Sequence, residues 1–199
     1  MTNDLFASDE GNTALGPEEH LDLIPSLSTR AELNEAERAN IHVARVWAMR
    51  PRTLARPDLL TDAFARELHK RMFNQIWRWA GRYRKTEKNL GWELARVTEG
   101  MRNAFDDVRA WIEFSTYPLQ EAAVRLHHRL VVIHPWPNGN GRHSRLIADI
   151  MIAASQGEEL TWGSRGNLVA IGDARRRYLE AIKQADKGNF NPLLTFTRS

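Results

Sequence analysis

The sequence is most constrained at residues 134–145, where two prolines and two glycines interrupt a helical pattern. Apolar residues recur at helical spacing before this stretch, over residues 121–133, and after it, over residues 146–154. Pro135 and Pro137 cannot continue the first helix, because neither has an amide hydrogen to donate. The sequence therefore predicts a helix, a tight loop and a second helix.

The loop has the composition of an anion-binding site with a base beside it. Gly139 and Gly141 let the backbone approach a ligand closely, and the free amides at the start of a helix bind anions. Arg142 and Arg145 lie three residues apart, so both guanidinium groups can face the same anion. His134 can accept a proton from a hydroxyl near neutral pH. These residues predict a polyphosphate site.

The order of these residues, H-P-W-P-N-G-N-G-R-H-S-R, resembles the signature of Fic (Fido) proteins, H-P-F-x-(Asp or Glu)-G-N-G-R-x-x-R. Members of that family transfer AMP, or less often another phosphate-containing group, to protein hydroxyls. Trp136 replaces the Phe, and Asn138 replaces the acidic residue that holds Mg²⁺ in the family. A neutral amide adds no charge, so Asn138 is expected to be a weak metal ligand.

The resemblance implies a role for each residue of the stretch. ATP would be the substrate and Mg²⁺ the cofactor, and His134 would take the proton from a Ser, Thr or Tyr hydroxyl of a target protein or of the protein itself. Asn140 would hydrogen-bond a phosphate oxygen, while the two arginines would hold the outer phosphates. The residues implied in nucleotide binding are Asn138, Gly139, Asn140, Gly141, Arg142 and Arg145.

A second resemblance lies at the start of the first long helix. Thr29 and Glu32 have the form of a capping box, which predicts a helical segment over residues 28–50. The segment is also similar to the inhibitory motif (Ser or Thr)-x-x-x-Glu-(Gly or Asn) of many Fic proteins, with Ser28 and Asn34 as its other members. This resemblance implies self-inhibition, with Glu32 paired to the last arginine of the signature. The alternative is that Glu32 only caps the helix.

Residues 82–93 lose the helical period and contain Asn89 and Gly91, which predicts an irregular β-hairpin. The Trp-Ala-Gly-x-x-Arg lead-in of residues 79–84 and this hairpin resemble the Fic flap, which aligns a target segment over the active site by strand addition. A plain connecting loop is the alternative. The expected tip, where a target would dock, comprises Thr86, Glu87, Lys88, Asn89 and Leu90.

Further helices are predicted over residues 61–77, 94–114 and 167–185. His69 lies among the polar positions of the first of these, where a surface location is expected. The run Arg175-Arg176-Arg177 on the last is expected to be a solvated face.

The composition fits one domain, because 199 residues with 42% hydrophobic content can bury a core. The absence of cysteine excludes disulfides and thiolate catalysis and suits a cytoplasmic protein. No apolar run has the length of a membrane helix, and a net charge of +3 is too balanced to indicate nucleic acid. We predict an all-α fold with one small β-hairpin, as an N-terminal arm over residues 1–27 and a Fic domain over residues 28–196.

The resemblance predicts a self-inhibited protein adenylyltransferase. The same site suits a phosphotransferase or an enzyme that removes AMP. A nucleotide-binding regulator without transfer is a different class, which the neutral Asn138 motivates. A basic nucleic-acid binder would use residues 175–177 and would show a steep dependence on salt.

Overall fold

The computed structural model describes residues 20–163, 168 and 172–199, and the statements on structure below concern these residues. As predicted, the fold is all-α. None of the described helices is both long and apolar enough to cross a membrane. The helices are α1 (Arg30–Ala48), α2 (Pro51–Leu54), α3 (Asp62–Phe73), α4 (Val97–Glu113), α5 (Leu119–Ile133), α6 (Asn140–Ala154), α7 (Asp173–Asp186) and α8 (Asn191–Phe196), with a short 3₁₀ helix (Leu94–Arg96) before α4.

Helix α6 lies at the centre of the fold. It packs along α5 and also contacts α3, while α4 packs on α5 and α1 packs on α3. Every residue of α6 from Leu146 to Ile152 is buried, so this helix is enclosed on all sides. Because α6 is enclosed, its first turn has a fixed position in the fold. Arg142 lies in that turn, and Arg145 lies in the next.

Helix α1 begins with the predicted capping box. The Thr29 hydroxyl accepts a hydrogen bond from the Glu32 amide at 3.2 Å, and the Glu32 carboxylate accepts one from the Thr29 amide at 3.0 Å. Both exchanges satisfy amides that have no acceptor inside the helix. The buried face of α1, which includes a carboxylate that the sequence analysis did not single out, comprises Leu33, Glu37, Asn40, Ala44 and Ala48.

The flap, residues 82–93, forms turns and bends and contains no paired strands in the structure, so the β-hairpin prediction is wrong. The Arg84 amide donates to the Pro135 carbonyl at 2.9 Å, and the Trp92 amide donates to the Ile133 carbonyl at 3.3 Å. The backbone at both ends of the flap therefore bonds to the chain around His134 and does not pair as two strands. The flap lies against the loop between α5 and α6 because its backbone groups find their partners there.

Candidate active site

His134 ends helix α5 in a left-handed conformation, with φ 55° and ψ 59°. Its Nδ1 lies 3.3 Å from the Val131 carbonyl oxygen. Because a carbonyl oxygen only accepts, Nδ1 carries the ring proton and Nε2 has the lone pair. The residue is only 6% exposed, and this burial lowers the pKa of His134 to about 4. The imidazole is therefore neutral at neutral pH and able to accept a proton.

The signature loop, residues 134–139, is held in shape by Asn140. The Asn140 Oδ1 accepts from the Trp136 amide at 2.9 Å, and its Nδ2 donates to the Trp136 carbonyl, also at 2.9 Å. Asn140 is buried, and these two bonds occupy both ends of its amide group. Nδ2 has a second hydrogen that neither bond uses, so the predicted bond from Asn140 to a phosphate oxygen stays a prediction. Asn140 fixes the loop, and the buried Trp136 ring anchors it.

His69 lies directly beneath the signature loop and is fully buried, so its predicted surface location is wrong. Its Nδ1 accepts from the Gly81 amide at 3.0 Å, which leaves Nε2 to donate to the Asn138 carbonyl at 3.2 Å. Its ring stacks on Trp136 with 4.2 Å between centroids. His69 thereby joins α3, the loop and the start of the flap. The helical pattern of one sequence does not distinguish a histidine that is bonded at both nitrogens from an exposed one.

The turn into α6 requires glycine at residue 139. Gly139 has φ 81°, and a Cβ there would lie 2.3 Å from Cζ of Phe73. Its amide donates to the Asn138 Oδ1 at 2.7 Å, and the predicted role of this amide in a phosphate cradle stays a prediction. The next amides, those of Asn140, Gly141 and Arg142, begin the helix and have no acceptor within it. They are the donors that can hold an anion.

The two arginines of the signature have different surroundings. Arg142 forms an ion pair with Glu37, with Nη1 2.6 Å from Oε2. Arg145 lies beside the Tyr178 ring, 5.5 Å from its centroid, and no carboxylate of the described residues forms an ion pair with it. Burial lowers the pKa of Arg145, yet an arginine keeps its charge in a protein. Arg145 is therefore a cation to which an anionic ligand can supply the counter-charge.

Glu37 is the residue of this site that the sequence analysis missed. It is 2% exposed, and its carboxylate accepts from Trp77 Nε1 at 2.7 Å, from Asn138 Nδ2 at 3.3 Å and from Arg142 Nη1 at 2.6 Å. Both oxygens of this buried carboxylate are therefore hydrogen-bonded. Helix α1 thus reaches the signature through Glu37.

Glu32 does not occupy the inhibitory position that the motif implied. Its carboxylate is fully exposed and accepts from the amides of Ser28 and Thr29, which lowers the pKa of Glu32. A helix turns about 100° per residue, so Glu32 and Glu37 project in different directions from α1. Asn34 does line the cavity described below, whereas Ser28 serves the cap through its backbone. The predicted pairing of Glu32 with Arg145 is therefore wrong.

Arg84 fixes the flap over the signature loop. Its side chain is buried, and its Nε donates to the His134 carbonyl at 2.9 Å while Nη1 donates to the Thr86 carbonyl at 3.1 Å. Its Nη2 donates to the Trp92 carbonyl. Gly91 makes this closure possible, because a Cβ at that residue would lie 2.5 Å from the His134 Cβ. The sequence marked both residues only as parts of the flap.

The predicted docking residues of the flap lie at its outer side. Leu90 lines the cavity, and Glu87 accepts from the Leu94 amide at 2.8 Å. The exposed members are Thr86, Glu87, Asn89 and Leu90, and Lys88 is half-buried. Their role in docking a target stays a prediction.

A cavity of about 710 Å³ opens between the signature loop, the flap and helix α7. It is lined by His134 and the first turn of α6, and by Tyr178, Leu179 and Ile182 of α7. Arg175 also lines the cavity and is buried, with Nη1 donating to the Leu168 carbonyl at 2.8 Å. The predicted solvated face is therefore wrong for Arg175, although Arg176 and Arg177 are exposed as expected.

Residues 59–152, from just before α3 to the end of α6, match the model of the Fic/DOC family. This part of the chain belongs to the Fic/DOC family. The matched region contains the signature loop, the flap and His69, so the Fic core carries most of the site. Helix α1 with Glu37 and helix α7 with Arg175 lie outside that region.

Similar proteins support the family and its fold. The protein adenylyltransferase Fic of Nematostella vectensis is 29% identical over 138 residues, which are 65% of this chain and 30% of that protein. BepC of Bartonella tribocorum, solved with bound AMPPNP, has a TM-score of 0.67 and 17% identity over 92% of this chain and 97% of its own. Fic-1 of Caenorhabditis elegans has a TM-score of 0.64 and 20% identity over 91% of this chain and 52% of its own. The chain spans about 30% or less of the length of the curated relatives.

The residues at the Fic signature do not fit Mg²⁺. The Asn138 Oδ1, the one side-chain oxygen at the metal position of the signature, accepts from the Gly139 amide at 2.7 Å. The nearest carboxylate, Glu37, is committed to three donors. The described part of the chain holds no group of three acidic or histidine side chains placed for a metal ion. In nucleotide sites Mg²⁺ is held by phosphates and water together with one or two carboxylates, and the signature offers it no free carboxylate. The weak ligand role of Asn138 stays a prediction.

Proposed function

We propose that this protein transfers AMP from ATP to a Ser, Thr or Tyr hydroxyl of a protein. The observation that carries the proposal is the pairing, across one cavity, of a neutral base with an anion site. The base is His134, and the anion site is the first turn of α6 with Arg145. The curated relatives named as protein adenylyltransferases and the AMPPNP bound to BepC support the same chemistry.

In the proposed reaction the triphosphate lies on the first amides of α6, where the helix dipole and Arg145 stabilise negative charge. The target hydroxyl oxygen attacks the α-phosphorus and gives its proton to Nε2 of His134. The new bond joins oxygen to phosphorus, and the bond from the α-phosphorus to the pyrophosphate oxygen breaks. Pyrophosphate leaves with that electron pair, held by Arg145 and the helix amides.

The flap presents the target in this proposal. Arg84 holds the flap against the His134 carbonyl, so a peptide that adds to the outer edge of residues 86–90 would run past Nε2 of His134. The chemistry requires only an accessible hydroxyl on that peptide. The target is another protein or a second molecule of this one.

Two incubations with labelled ATP test the proposal. Label transferred to protein from α-labelled ATP and not from γ-labelled ATP supports AMP transfer. Label from the γ-position alone would replace it with phosphorylation. Bound nucleotide with no transfer from either position would favour a regulator, and release of label from protein already carrying labelled AMP would favour the removal of AMP.

Self-inhibition is proposed through Glu37 in place of Glu32. The ion pair with Glu37 satisfies Arg142, so the arginine is held away from an incoming phosphate. Glu37→Gln keeps the shape of the side chain and its acceptor oxygen for Trp77 but removes the charge. We expect nucleotide affinity to rise on the order of tenfold and transfer to increase, because Arg142 becomes available. Titration calorimetry and the labelled-ATP assay measure both effects.

The same substitution should lower the stability of the nucleotide-free protein by on the order of 2 kcal/mol, because Arg142 loses its counter-charge. Added nucleotide should recover more stability in the variant than in the wild type. Glu32→Gln is the matched control: it removes an exposed carboxylate of the same helix and should leave nucleotide affinity unchanged. Equal affinities in all three proteins would show that Glu37 does not restrain the site.

A further inference from the structure

The side-chain amide of Asn138 lies between a hydrogen-bond donor and a hydrogen-bond acceptor. Its Oδ1 faces a donor, the Gly139 amide, and its Nδ2 faces an acceptor, the Glu37 Oε1. An acidic residue at this place could accept from Gly139 but would bring a second carboxylate against Glu37. Two carboxylates in contact raise each other's energy unless one is protonated. The neutral amide at residue 138 is therefore matched to the buried Glu37.

The cavity also supplies positive charge without a metal. Five basic side chains and one carboxylate line it: Arg30, Arg142, Arg145, Arg175, Lys183 and Asp186. Arg175 is buried in the wall, and Arg145 and Arg175 both act electrostatically on the Tyr178 hydroxyl that lies between helices α6 and α7. A divalent cation placed among these side chains would be repelled by most of them. A highly charged free anion would be attracted by the same side chains.

We propose that the cavity binds a nucleoside triphosphate as the free anion and not as its Mg²⁺ complex, and that Asn138 together with Glu37 sets this preference. The inference rests on the proposed function, since it takes the ligand to be a nucleotide. Asn138 contributes hydrogen bonds that shape the loop. Arg142 is paired with Glu37, so Arg145 and the other basic side chains of the cavity contribute the charge that a metal ion would otherwise carry.

The test is a calorimetric titration of the full chain with a non-hydrolysable ATP analogue, at one ionic strength, in EDTA and in excess Mg²⁺. The wild type should bind at least about threefold more tightly in EDTA, because Mg²⁺ withdraws the free anion and is itself repelled. The double variant Glu37→Gln with Asn138→Asp should reverse this order, since it provides a carboxylate without the like charge of Glu37 beside it. Glu37→Gln alone is the matched control and should keep the wild-type order.

The outcomes separate the two proposals. Tighter binding in EDTA by the wild type, with the reversed order in the double variant, supports the inference. Binding by the wild type that requires Mg²⁺ overturns the inference and leaves the proposed function in place. Absence of binding in both conditions overturns the proposed function and the inference with it. The single variant Asn138→Asp should bind the analogue more weakly than the wild type in EDTA, and unchanged binding would contradict the match between Asn138 and Glu37.

Discussion

His134→Ala should reduce transfer by about 10²- to 10⁴-fold while nucleotide affinity stays within about twofold of the wild type. The reason is that Nε2 acts on the incoming hydroxyl, whereas the phosphates lie on the first turn of α6 and on Arg145. Single-turnover transfer and titration calorimetry measure the two quantities. His42→Ala, which removes an exposed histidine of α1, is the matched control and should change neither.

The pH dependence of transfer gives a second measure of the same residue. His134 is a base only while its ring is unprotonated, and burial lowers its pKa to about 4. The rate per bound target should therefore stay level as the pH falls from neutral and should drop only as it approaches 4. A loss centred near pH 6.5 would show that another group takes the proton.

Acid also lowers the stability of this fold, so the profile needs a parallel measurement. Burial lowers the pKa of the histidines in the core, His69, His127 and His143, the last to about 4. Below about pH 6.5 these histidines bind protons in the unfolded chain but not in the folded chain. The free energy of unfolding therefore decreases as the pH falls below that value. Circular dichroism at each pH separates unfolding from the titration of His134.

The helices and the signature loop could be predicted from sequence because their signals are local. The helical spacing of apolar residues marks the two helices around residues 134–139, and Pro135 and Gly139 mark the loop between them. The capping box of Thr29 and Glu32 is likewise complete within one turn. Each of these features is decided by neighbours within four residues along the chain.

The burial of Glu37 could not be predicted from its neighbours in the sequence. Helix α1 has three glutamates, Glu32, Glu35 and Glu37, and the packing of α1 on α3 decides that Glu37 is the buried one. One signal was present: Glu37 lies four residues after Leu33 and three before Asn40, in line with the buried stripe of the helix. A charged residue in such a stripe needs a partner of opposite charge, and Arg142 is that partner.

The remaining errors have the same physical origin. His69 and Arg175 are polar residues within helical patterns, and their hydrogen bonds go to residues outside their own helices. The backbone amides of Arg84 and Trp92 bond to residues 133–135 and do not pair as strands, and no pattern within residues 82–93 indicates this.

Gly139→Ala should destabilise the protein by about 3 kcal/mol or more, whereas Gly141→Ala should change its stability by less than about 1 kcal/mol. Both substitutions remove one glycine, so their effects on the unfolded chain are the same and cancel in the comparison. At Gly139 the new methyl group meets two costs, a φ of 81° and a distance of 2.3 Å to Cζ of Phe73. At Gly141 it lies 3.4 Å from Nη1 of Arg145, the end of a flexible side chain.

Phe73 cannot easily give way to a methyl group at Gly139. Its ring is fully buried, lies 4.7 Å from the ring of His69 and is covered by the Arg142 guanidinium at 5.1 Å. The strain must therefore move the first turn of α6, which carries the amides and Arg142 of the anion site. Thermal unfolding should show a midpoint lower by about 6 to 12 °C for Gly139→Ala than for Gly141→Ala. Equal midpoints would mean that the signature loop does not press against α3, and that the anion site is not held in place by Phe73.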